Sequence, residues 1–185
     1  MKRKTAKELL AGSFKELAQT KSADKITVQD ITGNCGYSPA TFYRNFKDKY
    51  DLIAWDYSQH ISSLMKGILN NNRKWRQTIL DGLAHYHKEK DYLTNLLKNT
   101  SGHDSFIRYM SQINTENLIS LIKELSGNDR IDKQTERCIR LYCMGASAMS
   151  CEWILGSLDV TAEELAEIYE KSLPEPLRKY LLQYK

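Results

Sequence analysis

The chain has 185 residues, 41% of them hydrophobic and 27% charged, with a formal net charge of +4. That is enough for one sizeable domain, or a small one fused to a medium one, and it excludes a low-complexity or disordered chain. The first residues lack an uninterrupted apolar run, and the most apolar stretch, 141–155, is too short to cross a bilayer and contains Glu152, so no secretory signal, membrane span or membrane partner is expected and a cytoplasmic protein is.

Charge is unevenly placed. Residues 1–50 hold ten cationic side chains (Lys2, Arg3, Lys4, Lys7, Lys15, Lys21, Lys25, Arg44, Lys47, Lys49) against five acids (Glu8, Glu16, Asp24, Asp30, Asp48), a net of +5, which leaves the rest at −1. A basic segment on a near-neutral body predicts an anionic partner at that end, although many solvated faces are also basic.

No segment alternates with period 2, and the 3.6-residue period runs through the chain, so the class is all-α with about ten helices. A first helix is predicted over 5–21, with Ala6, Leu10, Phe14 and Leu17 on one face, although Gly12 and Ser13 weaken it by about 1 kcal/mol relative to alanine. Thr27 and Asp30 form a capping box for a short second helix that ends near Gly33, and Gly36-Tyr37 makes a turn. Ser38 caps a third helix that starts on Pro39, where a missing N–H costs nothing, and runs to about Phe46. Asp48 caps a long fourth helix with a buried stripe of Ile53, Tyr57, Ile61, Leu64 and Ile68.

Beyond the polar break at Asn70, Asn71 and Asn72, helices are predicted over 75–89, 92–98, 105–125 and 135–158, then one capped by Thr161 and a short last one after Pro174. Cys35, Cys138, Cys143 and Cys151 form no CxxC pair and read as small packing residues ahead of metal or disulfide roles. His85 and His87, two apart, face about 200° away from each other on a helix and cannot share a site. With no nucleophile elbow and no phosphate loop, neither an enzyme nor a bound cofactor is expected.

One long and two short helices joined by tight turns match a helix-turn-helix unit with a supporting helix. Phe42 and Phe46, four apart, turn inward toward Phe14, Ile26, Val28 and Ile31, leaving Pro39, Ala40, Thr41, Tyr43, Arg44 and Asn45 at or near the outer surface. Small residues at the helix start admit base edges, Arg44 can donate to a guanine or a phosphate, and Tyr43 can reach a phosphate or a thymine methyl. Lys49 with the free amides of the fourth helix makes a phosphate clamp, and Thr27 offers the same on the other side. The bland alternative is that these aromatics are core and the charges between them solvated.

The runs Ile26-Thr27-Val28-Gln29-Asp30-Ile31 and Gly36-Tyr37-Ser38-Pro39-Ala40-Thr41-Phe42-Tyr43-Arg44-Asn45-Phe46-Lys47-Asp48-Lys49, followed by Leu52, closely resemble the reading head of the TetR (tetracycline-repressor-like) regulators. The resemblance covers residues 5–55 and is only architectural beyond them. It implies that Thr27, Tyr37, Pro39, Ala40, Thr41, Tyr43, Asn45 and Lys49 meet double-stranded DNA, and Ser38 and Arg44 on the same helix start and face join them as DNA-binding candidates; Tyr37, where the family more often has a smaller aliphatic, touches the backbone or packs. It divides the chain into a head at 1–50 and a ligand-binding and dimerisation domain at 51–185. A palindromic operator, a homodimer, a repressor and a small-molecule effector are the further implications. The alternative is a co-activator or adaptor of the same fold, controlled by a protein partner.

In the second domain, Trp75, Tyr86, Tyr109, Met110 and Trp153 are candidates to line an effector pocket, with plain core as the other reading. The stretch at 138–155 is apolar on nearly every side, with Met144, Gly145, Ala148, Cys151 and Leu155 as candidates for the dimer interface. The same stretch, with Leu173-Pro174-Glu175-Pro176, resembles a subgroup that includes regulators of dihydroxyacetone kinase operons.

Overall fold

A computed structural model describes residues 4–71, 73–102 and 105–182; Lys2 and Arg3 of the basic count and Asn72 of the polar break lie outside them. Ten α-helices and one 3-10 turn, with no strand, form the regular structure of the described residues, as the 3.6-residue period predicts. In order they are α1 (Ala6–Leu17), the 3-10 turn (Ala23–Lys25), α2 (Val28–Cys35), α3 (Pro39–Asn45) and α4 (Lys49–Asn71). There follow α5 (Trp75–Lys88), α6 (Lys90–Asn99), α7 (Phe106–Ser126), α8 (Lys133–Leu155), α9 (Ala162–Lys171) and α10 (Glu175–Leu181).

Local chemistry sets most of the boundaries. Reciprocal capping boxes open α1 (Thr5 with Glu8), α2 (Thr27 with Asp30) and α9 (Thr161 with Glu164). Asp48 accepts the Tyr50 and Asp51 amides at the start of α4, as its position predicts. α2 runs past Gly33 to Cys35 and stops because Gly36 takes φ 73°, a left-handed conformation that glycine adopts without a Cβ penalty. Gly156, at φ 78°, ends α8 in the same way, before the predicted end at 158.

The first helix is shorter than predicted. It ends at Leu17, and the chain then turns so that Ala18, Ala23 and Ile26 are buried. Asn95 of α6 receives that turn: its Nδ2 donates to the Ala18 and Lys21 carbonyls at 2.7 and 2.9 Å, and its Oδ1 accepts the Ala23 amide at 2.9 Å. Backbone groups that would have continued the helix are thus satisfied by a distant side chain.

One core runs from Leu10, Phe14 and Phe42 in the first three helices through Tyr57 and Tyr86 to Met110, Cys151 and Leu165. A second core lies where α10 closes on α7 and α8, with Leu118, Leu121, Ile139 and Leu177 at its centre. Ser13 adds a polar pin: its hydroxyl donates to the Ile31 carbonyl at 2.7 Å from a buried position. The Gly12-Ser13 pair that weakens α1 therefore also ties α1 to α2.

Candidate nucleic-acid interface and effector cavity

α3 is oriented from within. Phe42 and Phe46 are buried, and Phe46 meets Trp55 edge to face at 5.6 Å, so the opposite side of the helix faces solvent. Pro39, Ala40, Tyr43 and Arg44 are exposed, and Tyr43 keeps 61% of its surface. Ser38 caps the helix by accepting the Thr41 amide at 3.2 Å, and its hydroxyl lies 3.2 Å from that of Thr41. Asn45 donates back to the Thr41 carbonyl at 2.8 Å, and Arg44 Nε reaches the Ala40 carbonyl at 3.3 Å, leaving the terminal nitrogens of its guanidinium. Tyr37 is half-buried and packs on the core. This small, rigid, cationic face matches what the third helix requires to enter a major groove.

Two of the expected phosphate contacts have other work. Lys49 extends inward, and its Nζ donates to the carbonyls of Ala23, Asp24 and Ile26 at 2.9, 2.5 and 2.9 Å. Burial lowers its pKa, and those three acceptors take all its hydrogens, so Lys49 brackets the loop between α1 and α2. Asp48 already caps the amides beside it. The Thr27 hydroxyl is engaged in its capping box with Asp30, at 2.8 Å to Oδ2. The Lys21 ammonium, with the Thr27 bonds, holds the Asp30 carboxyl down to about 2. Thr27 is exposed and its chain entry is fixed, so it presents backbone and methyl in place of a free hydroxyl.

The five aromatic and Met candidates do not share one pocket. Trp75 and Tyr86 line a cavity of about 100 Å³ among α4, α5, α7, α8 and α9, whereas Tyr109, Met110 and Trp153 are absent from its walls. Met110 is buried against Cys151, Sδ to Sγ 3.7 Å, and the Trp153 indole donates to the Val160 carbonyl at 2.9 Å. The other polar walls are Thr78, Asn114, Tyr142, Ser150 and Tyr169, which stand on separate helices or distant turns. Nothing in their spacing marks them, and only the fold brings them together.

A separate pocket of about 310 Å³ lies among α1, α4, α5, α6 and the start of α7. There His60 and His85 stack with ring centroids 3.5 Å apart, beside Lys15, which bridges Asp56 and Glu89 at 3.0 and 3.7 Å.

α8 divides its apolar candidates. Met144 and Leu155 are 51% and 43% exposed, Leu141 joins them at 75%, and Gly145 is exposed, with open space where a Cβ would stand. Ala148 lies on the same side, half-buried in a groove shared with Ile107 of α7. Cys151 is on the other side, 5% exposed and packed in the core, which corrects its place in the interface. The reason is angular: Cys151 falls on the stripe of Cys143, Ser147 and Ile154 that α8 turns toward α7.

No curated protein matches the chain in sequence. Two family models do: "Bacterial regulatory proteins, tetR family" over residues 14–54, and "Transcriptional regulator C-terminal region", of the TetR type, over residues 73–174. Among solved structures, the fold is similar to "Dihydroxyacetone kinase operon activator DhaS", with TM-score 0.60, 17% identity, and 95% of this chain and 97% of that one covered. It is also similar to Thermus thermophilus FadR, described as a TetR-family transcriptional repressor in complex with lauroyl-CoA, with TM-score 0.63, 17% identity, and 90% and 92% covered.

Proposed function

The chain belongs to the TetR family of bacterial transcriptional regulators, and from that premise we propose that it is a cytoplasmic repressor that binds a palindromic operator as a homodimer and releases it when a small molecule binds. The observation that carries this reading is the outward face of α3, where Pro39, Ala40, Tyr43 and Arg44 stand exposed over a buried Phe42–Phe46 anchor. Residues 1–50 act as the head and 51–185 as the effector and dimerisation domain. Arg44 and Tyr43 read or clamp the operator, with Ser38, Thr41, Asn45, Tyr37 and Thr27 around them, while Lys49 keeps the head in shape.

The exposed Leu141, Met144, Gly145 and Leu155, with the half-buried Ala148 among them, support pairing of α7 and α8 with their two-fold mates. An isologous dimer presents two heads related by a two-fold axis, and a palindrome has the same symmetry. The FadR neighbour is described with lauroyl-CoA bound; a cavity of about 100 Å³ supports a much smaller effector here.

The DhaS neighbour, named as an operon activator, favours a second reading in which the chain raises transcription. Selection of bound genomic fragments, followed by transcription from the enriched promoter with and without the protein, tests both. An enriched palindrome with reduced transcription is expected; raised transcription supports the second reading, and absence of any enriched palindrome overturns both.

A further inference from the structure

The effector cavity has a hydrogen-bonding character that its walls state atom by atom. Tyr57 donates to Asn114 Oδ1 at 3.0 Å, so its single hydrogen is spent and the 2.6 Å contact with Tyr86 is a donation from Tyr86. Tyr169 donates to the Ala146 carbonyl at 2.9 Å, so the 2.8 Å contact with Ser150 is a donation from Ser150. Tyr142 donates to the Tyr169 carbonyl at 3.0 Å and Thr78 to the Lys74 carbonyl at 3.2 Å. Every hydroxyl hydrogen on the cavity wall is committed to protein.

The Trp75 indole N–H is not. Trp75 is 94% buried by its 6% exposure, it lines the cavity, and its Nε1 has no hydrogen-bond partner. The Tyr142 hydroxyl feels that N–H nearby, but the two do not reach bonding geometry. A buried donor left without an acceptor is costly, so a molecule that brings an acceptor gains more here than at a satisfied site.

Charge and size narrow the class further. None of the lining residues is ionic, and burial pushes the Tyr86 hydroxyl and the Cys143 thiol each up to about 12, so the walls are neutral. An ion would enter without a counter-charge. A cavity of about 100 Å³ is smaller than the roughly 150 Å³ that holds the six carbons of benzene, which limits the occupant to about six non-hydrogen atoms at most.

We propose that this cavity takes a compact, uncharged molecule with one hydrogen-bond acceptor, a small ketone, ester, aldehyde or ether, whose oxygen receives the Trp75 N–H. The inference rests on reading the second domain as an effector domain, but its test needs no DNA.

The test follows the Trp75 indole ¹H–¹⁵N resonance of the full chain, assigned by Trp75→Phe, during titration with cyclopentanone, methylcyclopentane and butyrate. Cyclopentanone is expected to bind about 3–10-fold tighter than methylcyclopentane, the worth of one hydrogen bond, and at least tenfold tighter than butyrate. In Trp75→Phe, followed by ligand-detected NMR, the ketone loses its advantage over the hydrocarbon. In Ala146→Leu, which fills the cavity and leaves Trp75 in place, both neutral probes lose binding. Tighter binding of butyrate or of lauroyl-CoA, no response to either neutral probe, or an unchanged response in Ala146→Leu each overturns the proposal. Cyclopentanone binding that leaves operator affinity unchanged upholds the cavity's class and defeats only the effector reading.

Discussion

The Tyr57 hydroxyl of α4 lies 2.6 Å from the Tyr86 hydroxyl of α5, and this contact joins the proposed effector cavity to the helix that follows α3. The first residue of that same helix, Lys49, holds the loop between α1 and α2. A molecule that shifts Tyr86 therefore acts on α4 through a directed bond as well as through packing. The expected coupling in a Tyr57→Phe/Tyr86→Phe double-mutant cycle is about 0.5–1.5 kcal/mol, read by urea unfolding. Strictly additive single-mutant costs would mean that the two hydroxyls do not interact.

Lys49 and Arg44 should separate cleanly. Removing the Lys49 ammonium strands three carbonyls, two of them partly buried, so Lys49→Met is expected to cost about 1–3 kcal/mol of stability while the salt slope of operator binding stays the same. Arg44→Ala on the exposed face should leave stability within about 0.5 kcal/mol but weaken the operator complex by about 1–3 kcal/mol. Chemical unfolding and binding titrations at two salt concentrations measure both. A slope reduced by about 1 in Lys49→Met would return that side chain to the phosphate backbone.

Acid should loosen the contact between the head and the second domain. Burial pulls His60 down to about 4, helped by His85 and by the Lys15 charge against the opposing Asp56 and Glu89, and burial lowers His85 as well. The unfolded chain takes up these protons near pH 6.5 and the folded chain only at lower pH, so the unfolded state binds more protons in between and stability falls as pH drops from about 6.5 toward 4. A loss of about 1 kcal/mol at pH 5 is expected, kept small because both rings are only half-buried. Asp30, held down to about 2, contributes stability that is lost only below the usual carboxylate range, outside this window. Melting curves across pH should flatten in His60→Gln, and an equally steep dependence there would remove the histidines as its source.

Two glycines distinguish the fold from its assembly. Gly12 and Gly145 both sit inside helices with open space where a Cβ would stand, so alanine at either should stabilise the single chain by up to about 1 kcal/mol. At Gly145 the same methyl would enter the proposed dimer seam, so Gly145→Ala should raise the dimer dissociation constant while Gly12→Ala leaves it alone. Leu141→Glu with Met144→Glu should give folded monomers. Sedimentation velocity reads all these variants, and unchanged dimers in the double glutamate variant would move the interface off α8.

What the sequence by itself determined is the part of the protein that depends on neighbours three or four residues apart. Capping boxes at Thr5, Thr27 and Thr161, the Pro39 start and the Phe42–Phe46 pair are all such relations, and each is present in the folded chain. The motif around them adds the family. Only the tertiary structure decided where the long polar side chains went: Asn95 to the Ala18 carbonyl 77 positions away, Lys49 to Ala23 26 positions back, Tyr57 to Asn114 57 positions on. It also turned Cys151 inward while leaving Met144 and Leu155 outside. The physical reason is that a helix's period states which residues share a face, whereas the partner of that face is set by packing between helices. A free lysine at a helix start looks the same in sequence whether its ammonium meets a phosphate or three carbonyls of its own chain.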